Sequence, residues 1–392
     1  MLIKLLKRGL KHGQITIITP DNMTHVIGSG LPAVTWKFNN LSAMNRILRN
    51  WEFELGETYA EFGWDVTEGS LQDLLALLRA SFSAPRKGFL GKIISNLDGI
   101  WKAGNSLTRS KTNVASHYDL DAQLFSQFLD PDMNYSCAYH DQPQMTLTEA
   151  QHAKCAHLSK KLIPLAGQRI LDIGCGWGSL AIFLAENFDV EVHGITLSEE
   201  QFKVAKKRIV EKGLEKRVEI SLRDYREIDQ RYNRIVSVGM FEHVGKAHYQ
   251  AFFDQLEKNL TEDGIAVLHT IGRTGVPAPT NPWIQKYIFP GGYIPALSDV
   301  SKPIEKSDLM LTDLEVLRQH YNQTVAFWRE GFSQKRAQFV ALKGEKFCRI
   351  WEFYLSISEV VFSHSDTVVF QFQFARQHQV VPNTRDYLYQ AR

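Results

Sequence analysis

Three groups of residues have types and spacings suited to chemistry. The first is Leu171-Asp-Ile-Gly-Cys-Gly-Trp-Gly178. Gly174, Gly176 and Gly178 make a GxGxG, and Ser179 rules out the GxGxxG of dinucleotide binders. Glycines between a strand and a helix let backbone approach a ligand closely; a tight turn without a ligand is the plainer alternative. The second group is Thr196-Leu197-Ser198 with Gln201. It stands where an acid commonly binds sugar hydroxyls, and it offers neutral hydrogen bonds to the same groups. Asp224 and Tyr225 follow the next strand, where a ring system commonly lies; a plain surface pair fits equally well. The third group is Asn134–Tyr139, Met240–Gly245 and His269–Gly272. A Glu and a His at strand ends, Glu242 and His269, can bind an anion through a shared proton or position a base. Cys137 can be packing or a thiol nucleophile, and spacing identifies no third orienting group. Taken singly, each of these three has an ordinary structural explanation.

The elements that must position them follow from periodicity. Arg169–Ile173, Val190–Ile195, Val218–Leu222, Arg234–Val238 and Gly264–Thr270 read as short apolar strands. Trp177–Asn187, Glu199–Lys212 and Ala247–Asn259 read as helices between them. Such alternation predicts a buried, mostly parallel sheet with helices on both faces. The candidate residues that follow strands then fall at the carboxyl edge, where open α/β sheets bind ligands, and Asn134–Tyr139, which precedes the sheet, can fold over that edge. Thr367–Phe374 alternates Val or Phe with Gln, which predicts a late antiparallel edge strand. Residues 272–366 form a long, aromatic-rich insertion before it. Upstream, Gln14–Thr19 and His25–Ile27 flank a Pro20-Asp21-Asn22 turn signal, and Leu71, Leu74, Leu75 and Leu78 share one face of a helix over Leu71–Ser81. We therefore expect a small α+β domain over residues 1–84, a linker over 85–112 and a catalytic domain over 113–392.

The chain has 392 residues, with 45 Lys and Arg against 43 Asp and Glu. The net +2 announces no nucleic-acid binder. It conceals an asymmetry: residues 1–112 carry net +5 and the remainder −3. Residues 79–112 hold Arg79, Arg86, Lys87, Lys92, Lys102, Arg109 and Lys111 against Asp98 alone, with Phe82, Phe89, Ile93 and Trp101 among them. This stretch suits an anionic membrane surface or a solvated linker with a short packed helix. Four cysteines without a CxxC pair give neither a disulfide framework nor a zinc site, and no metal is implied. No apolar run reaches the ~18 residues of a spanning helix. The expected location is cytoplasmic, with peripheral contact at the inner face of the membrane.

The ordered motifs YSCAY, LDIGCGWG, TLSxxQ, GMFEHVG, LHTIG and KYIFPGG together resemble the cyclopropane-fatty-acyl-phospholipid synthase family and its mycolic acid methyltransferase relatives. The resemblance runs from about His117 to the C-terminus, and Leu55–Tyr59 through Gly63–Asp65 resembles that family's small lipid-binding domain. It implies a class I S-adenosylmethionine-dependent methyltransferase fold: α/β, Rossmann-like, with a doubly wound seven-stranded sheet and a small N-terminal α+β lipid-binding domain. It implies S-adenosylmethionine held by Tyr135, Ser136, Asp172, Gly174, Gly176, Gly178, Thr196, Leu197, Ser198, Gln201, Asp224 and Tyr225. It implies bicarbonate held by Cys137, Glu242, His269, the Ile271 main chain and Tyr321, the last in Arg318-Gln-His-Tyr-Asn. Many members carry a late Cys where this chain has Ser358, so a nucleophilic thiol there is not expected.

The implied reaction is methyl transfer to a cis alkene in a phospholipid acyl chain, giving a carbocation, then deprotonation by bicarbonate and ring closure. Aromatic faces stabilise cations, and Trp283, Tyr287, Phe289, Tyr293 and Phe327 are the candidates in the insertion. The implied partner is a bilayer with unsaturated chains. A homodimer is allowed, although the sequence shows no interface signature. Alternatives are methyl addition without ring closure, a small-molecule methyltransferase, or a non-enzymatic lipid binder; the intact GCGWG loop disfavours the last.

Overall fold

The turn signal at Pro20-Asp21-Asn22 closes a hairpin in the computed structural model, which describes residues 1–82 and 122–389. β1 (Gly13–Ile18) pairs antiparallel with β2 (Thr24–Ser29), and Asn22 takes φ 61 in the turn. β3 (Ala33–Phe38) lies parallel to β1, and β4 (Trp64–Glu68) antiparallel to β3, giving the order β2-β1-β3-β4. Trp36 packs against Phe38 and Trp64, with centroids 4.7 and 5.4 Å apart. The helix Leu71–Phe82 buries Leu74, Leu75 and Leu78 as the periodicity predicts, and Leu77 in addition.

The chain folds as two compact units, divided differently from the expectation. The first joins the described residues 1–82 with Thr280–Pro290 and Val325–Asp366. An expected boundary near residue 84, with everything after 113 in one domain, misses these returns. Arg349 shows the physical reason. It is buried on the helix Glu345–His364, donates to the carbonyls of Tyr59 (2.6 Å) and Trp64 (2.8 Å), pairs with Asp65 (2.8 Å) and lies over the Tyr59 ring. An arginine in a sequence reads as surface; here it is a buried tie. The expected linker, 85–112, lies outside the described residues.

The second unit is built on a seven-stranded sheet. Its strands are β5 (Gln168–Ile173), β6 (Val190–Thr196), β7 (Val218–Leu222), β8 (Tyr232–Val238), β9 (Leu260–Arg273), β10 (Met310–Leu317) and β11 (Thr367–Ala375). The order is β10-β11-β9-β8-β5-β6-β7. β5 to β9 are parallel; β11 runs antiparallel to β9 and β10. Two apolar clusters form its core, one around Phe241, Phe252, Phe253 and Phe374, the other around Leu158, Leu180, Leu184 and Val192. β11 is not the edge strand that its alternation predicts. β10, within the supposed insertion, takes the edge. Gln371 and Gln373 are fully buried and hydrogen-bonded instead of facing water.

Candidate active site

Inside the second unit, a cavity opens at the carboxyl ends of β5, β6 and β8. The loop after β5 shapes its floor. Gly174 has φ +79 and Gly176 φ +55, conformations that favour glycine. A Cβ on Gly174 would meet Met240 Cβ at 2.8 Å, whereas one on Gly176 would meet nothing within 4 Å. Ten of the twelve expected cofactor residues line the cavity: Tyr135, Ser136, Asp172, Gly174, Gly176, Thr196, Leu197, Gln201, Asp224 and Tyr225. The other two stand behind the wall. Gly178 precedes the helix Ser179–Asn187 with φ +80, and its Cβ position faces Ala205 at 3.1 Å. Ser198 caps the helix Glu199–Glu211, accepting from Gln201 N at 3.2 Å. Both shape elements that carry lining residues.

The wall chemistry is specific. Thr196 Oγ1 donates to Gln201 Oε1 at 2.8 Å, which leaves the Gln201 amide NH2 as its ligand-facing donor end. Asp224 is held by Arg226 through 2.8 and 2.7 Å hydrogen bonds and caps the turn at Tyr225–Glu227. Asp172 is buried, and burial pushes its carboxyl up to about 7. Its Oδ2 has no protein partner. A buried, unpartnered carboxylate oxygen in a ligand cavity fits a cationic group such as the amino end of S-adenosylmethionine.

Sequence reasoning missed two residues here. Lys154, on the helix Leu147–Leu162, is 2% exposed. It donates to Asn134 Oδ1 (2.8 Å) and Ser136 Oγ (3.1 Å), and Asn134 in turn donates to Asp130 Oδ2 (2.8 Å). Arg208 donates to the Trp177 carbonyl (2.8 Å) and pairs with Asp132 (3.2 Å), tying the glycine loop to the 130–136 segment. Arg208 falls in the expected helix Glu199–Lys212, where a basic residue reads as solvated, and Lys154 falls in a segment for which no element is expected from sequence. The only hint was that Lys154 follows Ala150 and Gln151 on a helix with a weak amphipathic pattern.

None of the five residues expected around bicarbonate lines the cavity; Cys137, Glu242 and His269 adjoin residues that do. Ser136 in the wall precedes Cys137, and Met240 and His243 flank Glu242. Gly239, also in the wall, donates its N–H to the His269 carbonyl at 2.9 Å. Glu242 Oε1 accepts from the Ile271 N–H at 2.6 Å, while its buried Oε2 has no protein partner. Burial pushes the Glu242 carboxyl up to about 7. His269 is buried and held down to about 3, first by desolvation and then by the charges of Lys154, Lys161 and His157. Cys137 is buried, its thiol pushed up by desolvation and hydrogen-bonded to Thr324. That environment disfavours a thiolate nucleophile. Tyr321 is buried near the start of the helix His320–Gln334. Its neighbours are fixed: Thr324 Oγ1 accepts from Ala138 N (3.1 Å), and Tyr139 is stacked between His157 (4.2 Å) and His320 (4.9 Å).

The five expected substrate aromatics divide between units. Trp283, Tyr287, Phe289 and Phe327 belong to the first unit. Trp283 is buried against Phe353 (4.8 Å) and Tyr287 (5.3 Å), Phe289 meets Tyr354 (6.0 Å), and Tyr287 donates to Glu57 (2.9 Å). Tyr293 belongs to the second unit; its N–H donates to the Glu242 carbonyl at 2.9 Å and its hydroxyl to Asp299 at 2.7 Å.

Comparison with known proteins places this geometry. A family model described as mycolic acid cyclopropane synthetase matches residues 105–372. The chain is 36% identical over 346 residues to the cyclopropane-fatty-acyl-phospholipid synthase of Escherichia coli (strain K12), covering 87% of each chain. It is 34% identical over 394 residues to tuberculostearic acid methyltransferase UfaA1 of Mycobacterium tuberculosis, covering 95% of this chain and 90% of that one. Among solved structures, mycolic acid cyclopropane synthase CmaA1 complexed with SAH and CTAB superposes with TM-score 0.64 at 32% identity, over 67% of this chain and 97% of that one. With the glycine loop, the cavity and the match across most of its length in agreement, the chain belongs to the mycolic acid cyclopropane synthetase family and is an S-adenosylmethionine-dependent methyltransferase.

Proposed function

We propose that this protein is a cyclopropane-fatty-acyl-phospholipid synthase, converting a cis double bond of a phospholipid acyl chain into a cyclopropane ring. The observation that carries the reading is Glu242: a buried carboxyl with one oxygen on the Ile271 N–H and the other unpartnered, directly after the cavity wall. The name of the Escherichia coli relative supports it.

When bound, S-adenosylmethionine supplies the methyl carbon that becomes the ring methylene, and bicarbonate supplies a base for the proton that carbon gives up. The chain's own residues hold and orient. Asp172 and Gln201 are suited to the amino end and the hydroxyls of the cofactor. Gly174 and Gly176 bring backbone close to it. Glu242, carrying a proton on a sizeable fraction of molecules at neutral pH, is suited to share it with an oxyanion through Oε2. An alkene is a poor nucleophile, so alignment supplies much of the rate.

Incubation with S-adenosylmethionine and vesicles of unsaturated phosphatidylglycerol, followed by mass spectrometry of the fatty acids, should show a gain of one methylene unit. No gain would refute the reading. A second reading, methylation without ring closure, is favoured by the likeness to UfaA1 over nearly the whole chain. Proton NMR of the product separates a ring from a branch. We further propose that the protein works from the cytoplasm on the membrane surface. Among the described residues, no helix is long and apolar enough to cross a membrane.

A further inference from the structure

β11 runs beside β9 with Gln371 directly opposite His269. Gln371 is 0% exposed and His269 2%. The Gln371 amide nitrogen lies 3.1 Å from His269 Nδ1. In this orientation the amide NH2 donates and Nδ1 accepts with its lone pair, while the buried Gln371 Oε1 has no protein partner. A neutral imidazole carries a single proton, and that proton is then on Nε2. An accepting Nδ1 also means a neutral imidazole, and desolvation and the Lys154 and Lys161 ammonium groups oppose a charge on it.

We propose that Gln371 is a positioning residue that fixes His269 as the Nε2–H tautomer, so that His269 donates a hydrogen bond to an oxyanion and does not act as a base. The donor role rests on the oxyanion reading of the site given above; the tautomer assignment does not. The neighbouring strand chemistry keeps the amide in place. Gln373, two residues on and on the same face, donates to the Lys161 carbonyl (2.6 Å), and its Oε1 accepts from Thr312 (2.9 Å). These contacts pin the strand segment that carries Gln371. A carboxylate at 371 would do the opposite. It would accept a hydrogen bond from Nδ1–H, leave a lone pair on Nε2 and turn His269 away from binding an anion. Gln371, set among the Val and Phe residues of β11, therefore has a chemical purpose that the alternation conceals.

The test uses the full chain with 15N-labelled histidine. Long-range 1H–15N spectra distinguish the two tautomers, and loss of one signal in His269→Asn assigns it among the 13 histidines. Wild type should show Nε2–H. Gln371→Glu should show Nδ1–H. It should lower turnover at least ~100-fold, as expected for a wrongly set tautomer, with affinity for S-adenosylmethionine by calorimetry within about twofold of wild type. Gln371→Met, uncharged and similar in volume, is the second variant should the carboxylate prevent folding. It should give a mixture of tautomers and an intermediate turnover. An Nδ1–H signal in wild type, or an unchanged tautomer in both variants, overturns the assignment. A switched tautomer with unchanged turnover overturns the donor role, and the oxyanion reading with it.

Discussion

Glu242 and Asp172 are buried carboxyls whose surroundings alter their chemistry. Both carboxyls are held up to about 7 by burial. A folded-state value above the ordinary 4.5 has a definite sign in the stability of the chain. The contribution of the protonated carboxyl to folding is fully present below the ordinary 4.5 and is lost as pH rises from there through about 7. For Glu242 the loss between about pH 4 and about pH 8 is about 3 kcal/mol. Glu242→Gln should remove that component, so denaturant titrations of the two proteins should diverge by about this amount across the range. Parallel curves would mean that Glu242 titrates normally. The same substitution should lower turnover by at least ~100-fold while leaving cofactor binding nearly unchanged, because Glu242 adjoins the cavity without lining it. Unchanged turnover would remove Glu242 from the reaction. Lys154 acts at the same scale. Lys154→Met should weaken S-adenosylmethionine binding measured by calorimetry, since Asn134 and Ser136 lose the ammonium that orders them; equal affinity would show that the 134–136 segment holds itself.

At the level of elements, the loop after β5 separates two kinds of glycine. Gly174→Ala must adopt a left-handed backbone and also displace Met240, so it should cost both stability and cofactor affinity. Gly176→Ala has the backbone penalty of about 1–2 kcal/mol but no protein neighbour. Its methyl group projects into open space in a cavity-lining loop, so its loss should fall chiefly on cofactor affinity. Melting temperature and calorimetry on the two variants check this ordering, and equal effects of both on affinity and melting would contradict it. The parallel strands and their helices were legible in the sequence because apolar runs of four to seven residues alternate with 3.6-period segments. β11 was misread for a reason that lies in the same rule. Alternation reports which residues are polar, and it cannot report whether a polar face meets water or another buried polar group. Gln371 and Gln373 meet His269 and the Lys161 carbonyl. β10, with Leu314, Val316 and Leu317 interleaved among Thr312, Asp313 and Glu315, offers a weak strand signal. Its carboxylates are engaged nevertheless: Glu315 pairs with His157 (2.6 Å), and both Asp313 and Glu315 pair with the fully buried Lys161.

On the scale of the whole molecule, the charge asymmetry of net +5 and −3 bears on the proposed membrane contact. If the basic N-terminal third docks on anionic lipid, sedimentation with phosphatidylglycerol vesicles should exceed that with phosphatidylcholine and should fall as salt approaches ~0.5 M, where screening shortens to a few ångströms. Binding indifferent to both would refute the electrostatic part. The basic stretch at 85–112 lies outside the described residues, so this expectation rests on composition.

The sequence by itself determined the second unit's parallel sheet, the glycine loop and a set of residues of which ten line the cavity. Those features are local: a loop between one strand and the next helix carries its ligand-binding backbone within a few residues. Only the tertiary structure decided what depends on residues far apart in the chain. It brought Thr280–Pro290 and Val325–Asp366 into the first unit through contacts such as Arg349 on Tyr59 and Trp64. It buried Lys154 beside Ser136 and set Gln371 against His269 across 102 residues. Burial and pairing decide whether a polar side chain is a solvated ornament or a tuned group, and neither is written in local periodicity.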